Sequence, residues 1–475
     1  MHNFESWLER INHVANSFIW GPYMLAAFLF VGLLFTVSTG FFQITHFPLW
    51  MRETILKLFF DNKKNVIHTD DKHSISQFQS LCTGLAATIG IGNITGVATA
   101  ITMGGPGAIF WMWLSASLGM MTNYAEIALG IKYRYRNKKN NWVGGAFVYI
   151  ERGLGKNYKW MAILFALFCM LASFGIGNMT QVNSVASGLK NSFHIDTRIT
   201  GIVIMLIGGI VILGDIKRIA SVTEKVVPFM AILYIMGCFL VIFSNTSRLP
   251  EVFSSIFIEA FNICSMGSGT LGYGILIAAK TGISRGVFSN EAGLGSTVII
   301  HSASDVKEPV MQGMWGIFQV FADTIVMCTI TAITILSSDI YDLNYTVHAM
   351  GEGKEIMTGT ALTSAAFSTV IPFGDKFVAI AILLFAFSTL LGWSYYGEKS
   401  TEYLFGLKAV FLYKIIFIIV IYFGCTASLD LVWSISDTLN GFMAIPNLIA
   451  ITLLSKEVKL MTRNYLNKTG LLQNN

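Results

Sequence analysis

The sequence predicts an all-α polytopic membrane protein, and three observations carry that prediction. Hydrophobic residues make up 54% of the 475 residues and charged residues only 12%, against about 25% charged in a soluble domain. Mean hydropathy is +0.62. The stretch 74–125 holds no Asp, Glu, Lys or Arg, whereas about 20 apolar residues already span the hydrocarbon. The basic residues fall between apolar tracts in an alternating pattern, which is how a multi-span chain is oriented.

Apolar tracts between charge clusters predict eleven spans. They lie near 20–45, 77–102, 107–132, 160–188, 199–214, 225–245, 264–300, 310–337, 376–397, 409–425 and 430–455. Lys and Arg number 23 in one set of intervening segments (46–76, 132–159, 215–225, 300–310, 396–408 and 455–475) and 5 in the other. The basic set is therefore cytoplasmic, with the N-terminus outside and the C-terminus in the cytoplasm. One missed or surplus span would break this alternation.

The net charge of +5 comes from these inter-span residues. It does not point to nucleic acid, since no basic run interleaves with aromatics. The six cysteines sit in or beside apolar segments without a CxxC pair, so they read as buried thiols. The N-terminus carries Glu5, Glu9 and Arg10 rather than a basic leader. The first apolar segment then reads as a retained helix.

Two inter-span segments stand out. The segment 133–158 is basic, with Gly144–Gly155 at its centre, and predicts a short amphipathic helix on the inner face, ended by its second pair of glycines. The segment 338–375 is the longest external loop. Its apolar stretch 361–370 predicts a short helix that dips over the core.

The chain also predicts an internal symmetry. Spans two to six (77–245) open on a tract broken by Gly90-Ile91-Gly92-Asn93, and spans seven to eleven (264–455) open on another broken tract. Five spans is an odd number, so the second set is inverted relative to the first. Interrupted helices at matching positions mark the binding site of inverted-repeat transporters. The span 20–45 lies outside the repeat, and the whole chain 1–475 forms one transmembrane domain.

Five groups of residues can carry chemistry. Gly90–Gly96 would present N–H groups to a carboxylate, with carbonyls near Ala86 and Ile89 for a cation, and Asn93 and Thr95 adding side-chain oxygens. The bland alternative is close packing through Gly92 and Gly96. Arg285–Ser296 sets charged residues within an apolar tract. There Asn290 is the candidate substrate contact, and Glu291 is expected to pair with Arg285 at the cytoplasmic end. Asn178 and Gln181 share a helical face, where Gln181 suits a zwitterion or simply joins helices. Ser388 and Thr389 are hydroxyls deep in a span, fit for sodium or for bonds back to their own helix. Trp393, one turn on, either walls a small pocket or packs. Asp323 is an isolated acid that could ligate a cation, relay a proton, or pair with Lys280 or Arg285.

At these residues the chain resembles the alanine or glycine:cation symporter family. The resemblance runs from ATIGIGNITGVATAI through GGPGAIFWMW and TNYAEIALG to RGVFSNEAGLGS and FAFSTLLGWSYYGE. One departure is Ala146, where the family often has proline. The resemblance implies a leucine-transporter-like 5+5 inverted repeat with one extra N-terminal helix, in the cell inner membrane. It implies import of a small neutral amino acid, alanine or glycine, with sodium as coupling ion and no other cofactor. By motif position Gly92, Asn93, Thr95, Gln181, Asn290, Thr389 and Trp393 would surround the substrate. Ala86, Ile89, Ser388 and Thr389 would hold sodium, with a second cation site near Asn93.

Rival readings are weaker. A proton-coupled transporter would use Asp323. An intramembrane enzyme would need clustered polar catalytic groups, and no HExxH, GxSxG or paired aspartates occur in the spans. A passive channel lacks rings of like charge.

Overall fold

Most of the described residues are helical, and the only described strands are two residues each, Tyr135–Arg136 paired with Trp142–Val143. The computed structural model describes residues 2–60, 67, 69–262, 273–427 and 430–470. Among them, six helices are long and apolar enough to cross a membrane. They are Glu9–Ser38, Lys156–Phe193, Ile216–Ser244, Pro309–Ser337, Gly374–Phe405 and Leu407–Thr426. The bent pair Val432–Leu453 and Ser455–Lys468 makes a seventh if taken as one span. The protein is thus an all-α polytopic membrane protein. Several of the remaining expected spans are short or interrupted, and the interruptions are what position the site.

The tract expected at 77–102 is three pieces: Gln77–Thr88, a tight turn Ile91–Asn93, and Thr95–Gly104. Its start is fixed by a reciprocal cap, in which Ser76 Oγ accepts from the Gln79 N–H and Gln79 Oε1 accepts from the Ser76 N–H, both at 3.1 Å. The second broken helix is described from Tyr273 to Asn290, and resumes at Thr297–His301 after an irregular stretch. Residues 264–272 of the expected span lie outside the described residues.

The N-terminal span differs from expectation. The candidate span Glu9–Ser38 starts earlier than 20–45 and is made of two helical pieces, His2–Ile19 and Pro22–Ser38. Pro22 starts the second piece as its first helical residue. Positive φ at Gly40 and Phe41 ends the segment after Ser38. The preceding helix alternates polar and apolar faces, so a search for apolar tracts passes over it. Its Asn12 and Asn16 donate to Ser434 Oγ and Asp437 Oδ2, at 2.6 and 3.0 Å.

The short helix expected within 133–158 is present as Ala146–Gly153, and positive φ at Gly155 follows it. It is not a surface helix, because Ala146 through Ile150 are all buried. The Tyr149 hydroxyl reaches inward to Asn447 Oδ1. The external segment carries the expected short helix as Gly359–Ser368 and a second one, Leu343–Gly351.

Two helices hold wide turns. Lys156–Phe193 is interrupted by a π-helical stretch Gly175–Met179, and Pro309–Ser337 by another, Phe321–Cys328. Such turns free backbone groups inside a helix and often mark functional sites. Gly374–Phe405 is the central helix. It is 32 residues long and is buried continuously from Ser388 to Glu402.

Candidate substrate and cation site

The inner half of the first broken helix ends at Ile89, whose ψ of 89° turns the chain out of the helix. That leaves the last carbonyls without helical partners. The central helix supplies hydroxyls there. Thr389 Oγ1 donates to the Ala86 carbonyl at 3.0 Å and stands 3.5 Å from the Ile89 carbonyl. Ser388 Oγ lies 3.4 Å from the same Ala86 oxygen and donates to Phe385 O at 2.8 Å. Ala86, Ile89, Ser388 and Thr389 are therefore gathered at one place. The approach is close, since a Cβ on Gly90 would sit 2.6 Å from Thr389 Oγ1. Two carbonyls and two hydroxyls form an uncharged oxygen set of the kind hard cations take. A hydroxyl hydrogen can rotate away and leave both lone pairs to an ion.

Beside this set lies a cavity of about 20 Å³ between the breaks, lined by Gly90, Gly92, Gln181, Phe288, Glu291, Thr389, Trp393 and Asn440 among others. That is room for about one water, so the cavity is closed down in this state. The π-turn before Gln181 orients it: Gln181 Nε2 donates to the Ile176 carbonyl at 3.0 Å. Its Oε1 is buried without a partner among the described residues, as is Asn440 Oδ1. Orphaned buried acceptors are costly, and these two border the cavity.

Of the expected substrate residues, Gly92, Gln181, Thr389 and Trp393 meet at this cavity. Three stand back from it. Asn290 braces its own loop, accepting from the Ala292 N–H at 3.0 Å and donating to Thr324 Oγ1 at 3.1 Å. Thr95 shares a 2.9 Å hydrogen bond with Thr360 of the external helix. Asn93 accepts from the Gly90 N–H at 3.0 Å and donates to Asp323 Oδ1 at 2.9 Å.

Glu291 corrects the sequence reading. It does not pair with Arg285. It is 3% exposed, accepts from Trp393 Nε1 at 2.9 Å and is bonded by Ser296 Oγ. The reason is backbone conformation: Glu291 has φ of 57°, which turns the chain at the break and directs the carboxyl inward. Arg285 instead lines a cavity of about 340 Å³ with Gly92, Thr95 and Phe288. The charge within the apolar tract was the available signal, and assigning it to a helix end concealed it. Asn440 carried no signal beyond being polar in a span.

Asp323 has no basic partner among the described residues. Its carboxylate accepts from Asn93, from Ser289 Oγ at 2.9 Å and from Thr324 Oγ1 at 2.8 Å. It therefore joins the first break to the second. Lys280 and Arg285 both line a cavity of about 430 Å³ instead.

A separate set of contacts latches the segment before the first broken helix to the residues that follow the second. The Ile75 N–H donates to Ala303 O at 3.0 Å, and the Asp305 N–H donates to Ile75 O at 2.7 Å. Arg134 donates to the carbonyls of Ser302 and Ser304, at 2.8 and 2.6 Å, and to that of Val306. Arg136 pairs with Asp71, and Trp142 Nε1 donates to Ser74 Oγ at 2.9 Å. Partial burial raises the Asp71 carboxyl, but hydrogen bonds from Ser74, Arg136 and the His73 N–H outweigh it and hold it well below the usual carboxylate range.

Interrupted helices that gather uncharged oxygens beside a buried cavity are the arrangement by which secondary transporters build their sites. A model of the sodium:alanine symporter family matches residues 5–474. The chain belongs to the sodium:alanine symporter family. Its members are transporters, not enzymes. A sodium/alanine symporter, AgcS of Methanococcus maripaludis, is 45% identical over 97% of both chains. A Bacillus subtilis relative named as a probable sodium/glutamine symporter, GlnT, is 39% identical over 96% of this chain and 91% of its own. Another from Bacillus subtilis, YrbD, named as a sodium/proton-dependent alanine carrier, is 36% identical over 95% of this chain and 91% of its own. Among solved structures, the Eremococcus coleocola manganese transporter shares the fold. Its TM-score is 0.50 at 14% identity, over 85% of this chain and 82% of that one.

Proposed function

We propose that the protein is a sodium-coupled symporter that imports a small neutral amino acid, alanine or glycine, by alternating access. The observation that carries this is the convergence of Thr389 and Ser388 on the carbonyls of Ala86 and Ile89, directly beside the cavity bordered by Gln181 and Trp393. In this reading the protein sits in the cell inner membrane with its N-terminus outside. The eleven spans form the two inverted halves 77–245 and 264–455 plus the N-terminal helix.

Sodium replaces the hydroxyl hydrogens at the Ala86 and Ile89 carbonyls and fixes the unwound geometry of Gly90–Gly92. The N–H groups of that turn then meet the substrate carboxylate. The ammonium group faces Gln181 Oε1 and Glu291, the acceptors at the cavity. Asn93 and Asp323 mark a second cation position between the breaks. Closing sodium and substrate together makes each raise the other's affinity by the same factor. Trp393 and Phe288 leave little room for a long side chain, which favours alanine and glycine over the glutamine that one relative's name carries.

Proton coupling through Asp323 is the second reading, favoured by the absence of a basic partner among the described residues and by its bonds to both breaks. Equilibrium binding of labelled alanine, with and without sodium and at two pH values, separates the two. Binding that requires sodium, is displaced by glycine and is unmoved by leucine or glutamine supports the first reading. Sodium-independent binding lost in Asp323→Asn supports the second.

A further inference from the structure

A buried polar ladder lies behind the first break and meets the substrate cavity only at its end, where Thr88 lines both. The inner half-helix Gln77–Thr88 presents Gln77, Ser80, Gly84 and Thr88 at helical spacing. The facing helix Pro309–Val320 presents Gln312, Trp315 and Gln319. Trp315 Nε1 donates to Gln77 Oε1 at 3.2 Å, Gln312 Nε2 to Ser80 Oγ at 2.7 Å, and Gln319 Nε2 reaches Thr88 Oγ1 at 3.5 Å. At the centre sits His301, the last residue of the half-helix Thr297–His301 that resumes after the second break.

His301 is fully buried and is gripped at both ring nitrogens. Gln312 Nε2 approaches Nδ1 and Gln319 Oε1 approaches Nε2, each at 2.7 Å. Gln319 Oε1 can only accept, so Nε2 carries the hydrogen and Nδ1 accepts. The geometry is tight, since a Cβ on Gly84 would meet Gln319 Oε1 at 2.8 Å and His301 Nε2 at 3.0 Å.

We infer that His301 is a positioning residue for the cation site, one that ties the second broken helix to the sodium-binding end of the first. Resting on the sodium reading above, the chain of contact is short. His301 fixes Gln319, Gln319 holds Thr88, and the next residue, Ile89, offers the carbonyl that faces Thr389. On the other side of the second break, Asn290 closes the outer half of the same broken helix. A shift of the second break on substrate closure thus moves the carbonyls that hold the ion. Conversely, an ion that fixes those carbonyls favours one placement of the second break. His301 touches neither sodium nor substrate, and acts only by holding Gln319.

The test is alanine binding to purified full-length protein across a range of sodium concentrations, for wild type, His301→Ala, His301→Gln and Gln319→Leu. Removing one buried hydrogen bond that sets a ligand's position should raise the sodium concentration for half-saturation by about ten-fold in His301→Ala and Gln319→Leu. Alanine affinity at saturating sodium should stay within about three-fold of wild type. His301→Gln, whose Nε2 can still donate to Gln319, should recover most of the sodium affinity. A merely structural role predicts lower melting temperature with both affinities unchanged or lost together, and no rescue by Gln; that result overturns the inference. If His301→Ala does not fold, Gln319→Leu and His301→Gln decide it by the same criterion. Wild-type protein that binds alanine without regard to sodium overturns the sodium reading itself, and the inference with it.

Discussion

Thr389 is the residue on which the proposed chemistry turns, because its hydroxyl touches both carbonyls freed by the first break. Thr389→Ala removes one oxygen from a small uncharged set and should raise the half-saturating sodium concentration by about ten-fold or more. Thr389→Ser keeps the oxygen and should stay near wild type. Sodium-dependent binding curves of the two variants check this, and equal behaviour would remove the hydroxyl from the site. The glycines of the break separate in the same way. A methyl on Gly90 would lie 2.6 Å from Thr389 Oγ1, whereas one on Gly92 meets Phe288 at an ordinary 3.4 Å. Gly90→Ala should therefore abolish sodium-dependent binding. Gly92→Ala should fold normally and lose substrate affinity only if the carboxylate sits on that turn.

Glu291 shows where reading residues one at a time stops. A carboxylate in an apolar tract was visible in the sequence, and so were Asp323 and the paired hydroxyls at 388–389. Their directions were not, because one non-glycine residue at φ of 57° decides which way Glu291 points. Trp393→Phe removes its indole donor and leaves the buried carboxyl one partner short. That should cost about 1–3 kcal/mol, read as a lower melting temperature, while Trp393→Ala should also loosen substrate selectivity toward larger side chains.

At the scale of elements, the broken helices were legible because lipid does not tolerate the freed backbone of a glycine-rich turn. Such a turn in an uncharged tract must be buried in protein or line a cavity. The N-terminal helix His2–Ile19 and the burial of Ala146–Ile150 were not legible. Both are decided by what packs against an amphipathic segment, and a single chain's periodicity does not name its partner. The latch is likewise an assembly of distant segments, joining 71–75, the hairpin and 302–306. Its Asp71 carboxyl is held below the usual range. The stabilisation it gives is fully present above about pH 4, the unfolded value, and is lost as pH falls through the lowered folded value. Asp71→Asn removes the charge at neutral pH and should loosen the latch. A cysteine placed at Ser304 should then label faster with a water-soluble thiol reagent, and an unchanged labelling rate would show that backbone contacts alone hold the latch.

For the molecule as a whole, the excess of 23 basic residues over 5 between alternate segments predicts orientation. A tag at the N-terminus should be accessible from outside intact cells, and one at the C-terminus only after the membrane is opened. The class of fold needed nothing beyond composition and spacing. Coupling is a different matter, since in the proposed function it belongs to both breaks together and no single residue announces it. The most direct measurement is uptake of labelled alanine into proteoliposomes under an imposed inward sodium gradient, against a matched inward proton gradient without sodium. The proposed function requires accumulation above equilibrium with sodium alone, competed by glycine. Accumulation that follows the proton gradient and ignores sodium would contradict it, and would move the coupling site to Asp323.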